Sequence, residues 1–312
     1  MDPSFWVWAG FVGFVLAMLA LDLGVFNREA HVVSVREAAI WTAVWVSLAL
    51  LFAGGIYLFG GPEGPRFALE FITGYLVEES LSVDNLFVIL AIFGYLKIPR
   101  EYQHRVLFWG IIGALLMRGG FVYIGVLLIE RFEVVLYVFG VLLILTGVRI
   151  AIRSEEAFDP ADNRLIRIVR KFMPITHEIH GSKFFTIKNG RRYATPLLLA
   201  LVVIELTDIV FAVDSIPAIF GVTREPFIVF TATMMALLGL RSLYFLLAGI
   251  LDQFRFLHFG IAFVLVFVGL KMLFEWWVHP PSWVSLGVIV LGIGGSVVVS
   301  ILIPEAPDED LT

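Results

Sequence analysis

The stretch Glu78-Glu79-Ser80-Leu81-Ser82-Val83-Asp84-Asn85 lies in an apolar run long enough to cross a bilayer. In a second such run, Asp208-Ile209-Val210-Phe211-Ala212-Val213-Asp214-Ser215 repeats its pattern. Aligned without gaps, Glu78 falls on Asp208, Val83 on Val213, Asp84 on Asp214 and Asn85 on Ser215. A charged side chain at the centre of a bilayer costs roughly 2.5–3.5 kcal/mol on insertion scales, so acids at this depth mark an ion or proton path. A duplicated acidic pair points to one site assembled from two halves.

The rest of the chain fits that setting. Its 312 residues are 60% hydrophobic and 16% charged, and the mean hydropathy is +0.94. Few soluble domains have this make-up; a polytopic membrane protein does. There is no cysteine, which excludes disulfides and thiolate ligands, so a metal site would use oxygen or imidazole. The start, Met1-Asp2-Pro3-Ser4, has no basic stretch, so the first apolar run reads as a retained span rather than a cleaved signal. No nucleic-acid partner is expected.

With about 20 apolar residues needed per crossing, nine spans are expected, near 5–26, 37–59, 68–94, 106–129, 133–151, 195–220, 227–250, 256–276 and 283–303. Prolines sit near their ends, and Trp6, Trp8, Trp41, Trp45, Trp276, Trp277 and Trp283 read as aromatic belts. One set of loops holds only Arg66, Arg131 and Arg224. The other holds Arg28, Arg36, Lys97, Arg100, Arg105, Arg149, Arg153, Arg255 and a basic connector. The positive-inside rule then puts the amino terminus outside and the carboxyl terminus in the cytoplasm, in the inner (plasma) membrane.

The fold class expected is an all-α polytopic membrane protein whose core is two inverted three-helix repeats. Residues 1–66 give two peripheral spans, 67–151 the first repeat, 152–194 a cytoplasmic connector, 195–276 the second repeat, and 277–312 the last span with an acidic tail. The repeat extends past the acids: Gly113 to Arg118 resembles Ala236 to Arg241, and Gly147-Val148-Arg149 resembles Gly269-Leu270-Lys271. Three spans per unit invert the second relative to the first, a common plan of secondary transporters. In the connector, Leu165 to Phe172 reads as a basic amphipathic helix, lying either on the anionic leaflet or against the cytoplasmic loops. Asn189-Gly190 between β-prone runs reads as a hairpin turn.

The candidate ligands are all oxygens: Glu78, Asp84, Asn85, Glu205, Asp208, Asp214 and Ser215, with Glu79 and Thr207 as further candidates. Such shells suit Mg²⁺, Mn²⁺ or Ca²⁺. Glu205 and Asp208, three apart, share a helix face. Asp208 and Asp214, six apart, are separated by about 9 Å of rise and roughly 120° on an unbroken helix. Pro217 cannot bond the carbonyl of Val213, so a kink or unwound stretch is expected around Asp214-Ser215, freeing carbonyls as ligands. Metal and protons would compete for these oxygens. Arg118 and Arg241 either orient an acid of the site or replace the metal in one state, or form structural salt bridges. Asp22 is placed at the interface and Glu70 at the outer mouth. His177 and His180 read as surface residues.

Gly74-Tyr75-Leu76-Val77 running into Glu78–Asn85, and Glu205-Leu206-Thr207 running into Asp208–Ser215-Ile216-Pro217, resemble the two signature motifs of the TerC family. Leu21-Asp22-Leu23-Gly24-Val25-Phe26-Asn27-Arg28 and Asn189-Gly190-Arg191-Arg192 are similar to it as well. The resemblance implies an integral membrane protein of the LysE-type transporter group, tied to tellurium resistance and manganese export, with the seven oxygen residues named above as its site. The expected function is export of divalent metal ions, Mn²⁺ foremost, coupled to protons, with no enzymatic activity and no resident cofactor. The alternatives are a membrane-embedded metal-dependent hydrolase, which lacks a His or Lys beside Ser80 or Ser215, and a metal or tellurite stress-response scaffold.

Overall fold

The computed structural model describes residues 4–21, 33–132, 134–152, 176, 181–188, 191–248, 256–274, 277 and 282–303. Among these, the helices are α1 (Phe5–Leu21), α2 (Val35–Phe59), α3 (Gly64–Tyr95), α4 (Arg100–Arg131), α5 (Val134–Ile152), α6 (Pro196–Val222), α7 (Pro226–Leu247), α8 (Leu257–Leu273) and α9 (Ser282–Leu302). Each matches one expected span. Six of them (α2, α4, α5, α6, α7 and α9) are long and apolar enough to cross a membrane. Helices α1 and α8 have 17 residues each, at the short end of what spans a bilayer. Helix α3 has 32, about 48 Å, but carries the acids of the first motif.

Local chemistry sets where these helices begin. Ser34 caps α2, its hydroxyl accepting from the Glu37 amide at 3.2 Å, the first half of a capping box. Pro65, Pro196 and Pro226 fall in the first turns of α3, α6 and α7, where a missing N–H leaves nothing unpaired.

Helix α7 is buried around nearly its whole circumference and forms the axis of the bundle. Helices α2, α3 and α4 pack against it, and α6 packs against both α3 and α4. The outer helices turn apolar side chains outward, such as Leu51 and Leu58 of α2, Leu145 of α5 and Leu291 of α9. A lipid-facing surface needs no polar cover. Trp45 departs from the expected belt: it is buried, between α2 and Gly239 of α7. Trp8 packs its ring on Phe227 and Phe230.

Helices α3–α5 and α6–α8 meet in matched pairs: α3 with α6, α4 with α7, α5 with α8, and α3 on α7 as α4 on α6. A two-fold exchange of the two triplets would produce these pairs. The α5–α8 pair is the tightest at backbone level. A Cβ at Gly269 would stand 2.6 Å from the Gly140 carbonyl, and one at Gly147 would stand 2.8 Å from the Ala262 carbonyl. Small residues let helix backbones touch in a membrane, where dispersion replaces the hydrophobic drive.

In the connector, β1 (Phe185–Lys188) pairs antiparallel with β2 (Arg191–Ala194), Lys188 opposite Arg191, in the register that a turn at Asn189-Gly190 requires. The Thr195 hydroxyl donates to the Lys183 carbonyl at 2.8 Å, tying the ribbon to the start of α6. Arg105 of α4 donates to Ser182 and lies over the Phe184 ring. The expected amphipathic helix at 165–172, Asp22, His177, His180 and the acidic tail lie outside the described residues.

Candidate functional site

Arg118 projects from α4 between α3 and α6 and is 1% exposed. Its Nη1 donates to Glu78 Oε2 at 2.6 Å. Its Nη2 donates to Asp208 Oδ1 at 2.9 Å and its Nε to Asp208 Oδ2 at 3.3 Å. The planar guanidinium thus grips one carboxylate with two nitrogens and the other with a third, geometry that lysine cannot supply. From α7, the Thr233 hydroxyl donates to Glu78 Oε1 at 3.2 Å. Four helices converge here. The two acids joined by one arginine are the pair that the sequence repeat aligns with each other. Two carboxylates to one guanidinium leave a formal surplus of negative charge.

Beside this knot lies a small cleft between α3, α4, α6 and α7. Asn85, Glu205, Thr207 and Asp208 are among the residues that line it, beside Ile89, Phe211 and Leu240, and its wall is mostly apolar. Glu205 stands one turn before Asp208 on the same face of α6. Its Oε2 is buried without a hydrogen-bond partner. The carboxyl fits because position 113 on α4 is glycine: a Cβ there would collide with both Glu205 oxygens. A buried, unpaired carboxylate oxygen is costly, and Glu205 lines the cleft together with Asn85 and Asp208.

Of the expected ligands, Glu78 and Asp208 meet at Arg118, while Asn85, Glu205 and Asp208 meet at the cleft. Ser215 lies further along α6, its hydroxyl buried and unpaired. The Thr207 hydroxyl donates to the Val203 carbonyl. Asp84 and Asp214 belong to α3 and α6, but their side chains lie outside the description. Among the described residues, no group of three or more His, Asp or Glu side chains is placed to hold a metal ion. The paired glutamates separate: Glu78 turns to Arg118, and Glu79 turns towards Gly239 of α7.

One expectation is corrected. Helix α6 runs unbroken from Pro196 to Val222 with Pro217 inside it, so the unwound stretch at Asp214-Ser215 is absent. One proline removes one amide donor, and the turns on either side keep the helix going. Arg241 sets its Nη1 2.9 Å from His104 Nε2. Arginine can only donate, so the ring nitrogen accepts. Extending the Gly113–Arg118 alignment sets His104 against Phe227, so the second repeat offers no equivalent acceptor. Sequence reasoning missed Thr233 and His104, which only helix packing brings to the acids and to Arg241.

The described geometry is that of an α-helical, multi-pass integral membrane protein with a buried acidic centre. The Integral membrane protein TerC family model matches residues 63–307, and the chain belongs to that family. It is 52% identical over 296 residues to the uncharacterised membrane protein STKORF319 of Myxococcus xanthus, covering 95% of this chain and 92% of that one. It is 45% identical over 289 residues to Alx of Escherichia coli K12, provisionally described as a membrane-bound redox modulator, covering 91% and 90%. An uncharacterised membrane protein of Rickettsia bellii is 39% identical over 295 residues, covering 93% and 97%. No solved structure matches the chain.

Proposed function

We propose that this chain is a secondary transporter that exports divalent metal ions, Mn²⁺ foremost, in exchange for protons across the inner membrane, with its amino terminus outside. The observation that carries the reading is the Glu205 carboxylate, its Oε2 buried and unpaired at a cleft shared with Asp208 and Asn85. An oxygen-only set of this kind selects a hard cation. Asp84, Asp214 and Ser215 would complete it from neighbouring turns of α3 and α6. Arg118 would offset part of the charge of Glu78 and Asp208 when no ion is bound. The redox role ascribed to the Alx relatives, if carried to this chain, would have to work without thiols, since it has no cysteine. Moving a redox-active metal fits both descriptions.

The test is Mn²⁺ flux in proteoliposomes holding the purified chain, with an imposed proton gradient. Glu205→Gln should abolish flux while leaving the purified protein monodisperse. Flux that persists undiminished in that variant, or that never exceeds empty vesicles with the unaltered chain, sinks the proposal.

A further inference from the structure

The cleft lies towards one end of the bundle. Asn85 and Ile89 are in the last third of α3, Gly110 in the first third of α4, and Glu205 in the first half of α6. Those helix ends adjoin the basic loops and the connector. Beyond the Arg118 knot, towards the opposite end, α3 and α6 close on each other. A Cβ at Gly74 of α3 would stand 3.3 Å from Ile219 of α6 and 3.4 Å from Ala232 of α7. One turn further out, Glu70 is 4% exposed, and its Oε2 accepts from the Thr223 hydroxyl at 2.5 Å. Thr223 is the residue that ends α6. Its hydroxyl also accepts from the Glu225 amide at 3.2 Å, so the group is bonded on both sides. The other oxygen of Glu70 accepts from Arg66 Nε at 2.8 Å, from a side chain 59% exposed.

We infer that Glu70 and Thr223, backed by Gly74 against Ile219, are the outer gate of the pathway, shut while the cleft opens to the cytoplasm. This rests on the transport reading and its orientation. The chemistry suits a gate that reopens. Parting the outer ends of α3 and α6 gives up the Glu70–Thr223 hydrogen bond and the Gly74–Ile219 contact. Glu70 keeps Arg66 when Thr223 leaves, so no carboxylate is stranded. The first helices of the two repeats, α3 and α6, are the elements whose rocking would alternate access. Nothing in the transport chemistry itself requires a buried acid at position 70, far from the cleft.

A chain without cysteine makes the test clean. In the variant Glu70→Cys/Thr223→Cys, bridging the thiols with a short bis-thiosulfonate should abolish Mn²⁺ flux at least tenfold. Reductant should restore it, and Mn²⁺ should still bind from the connector side. Flux that survives complete bridging overturns the gate. Absence of flux from the unaltered chain in the same vesicles overturns the transport reading instead. If the reduced double variant is inactive, Ile219→Cys serves as a reporter. A membrane-impermeant thiol reagent added outside should label it slowly, and several-fold faster once Thr223→Val is added. Equal rates in the two backgrounds overturn the gate.

Discussion

The carboxyl group of Glu205 occupies the space that a side chain at position 113 would fill, one helix presenting an acid and the next presenting bare backbone. Gly113→Ala should therefore move the carboxylate more than it harms the fold, because the colliding atoms are the end of a flexible side chain. Stability should fall by about 1 kcal/mol or less, while Mn²⁺ affinity drops about tenfold, near 1.4 kcal/mol. Calorimetric titration beside a thermal melt separates the two effects.

Arg118 offers the sharper stability test. Arg118→Ala strands Glu78 and Asp208 in the interior, a loss of about 3–5 kcal/mol when a buried pair loses one member. Adding Glu78→Gln and Asp208→Asn removes the charges that need a partner and should return much of that loss. Unfolding midpoints of the single and triple variants in one detergent decide it. Equal midpoints would mean that the arginine does not compensate those acids.

Asp84→Asn and Asp214→Asn should each lower flux by at least about tenfold with little change in folding. They sit at aligned positions of the repeat, so the two losses should be similar in size. A variant that transports normally would remove its acid from the pathway.

If, as proposed, protons and the cation share the same oxygens, ion binding should expel protons and weaken as pH falls. The sign is fixed by mass action: each proton released on binding makes the apparent Kd rise about tenfold per unit of acidification. A Kd for Mn²⁺ that stays flat between pH 8 and 6, on the order of two such units, would rule out exchange.

Much of the fold was legible in the residues. Apolar runs and their prolines marked each helix, and the Asn189-Gly190 signal marked the ribbon now seen between Phe185 and Ala194. The candidate site was legible only in part. Glu205 and Asp208 were placed on one face by their spacing, since helical period depends on sequence distance alone. The spacing gave no hint that Arg118 would hold Glu78 and Asp208 together, or that Arg241 would meet His104. Of the kink or unwound stretch expected at Pro217, the unwound stretch is absent, because loss of one amide does not oblige a long helix to open.

The amino-acid order alone determined that this chain lives in a bilayer, where its apolar helices fall, and that two of them carry matching acids. Hydrophobic length and charge placement fix those properties without reference to neighbours. Tertiary structure alone decided which acid meets which arginine, that Gly113 yields its place to Glu205, and that α3 and α6 close together at Gly74 and Ile219. Those depend on how each helix is rotated about its axis against the next, which is settled by packing across the bundle and not by any one segment.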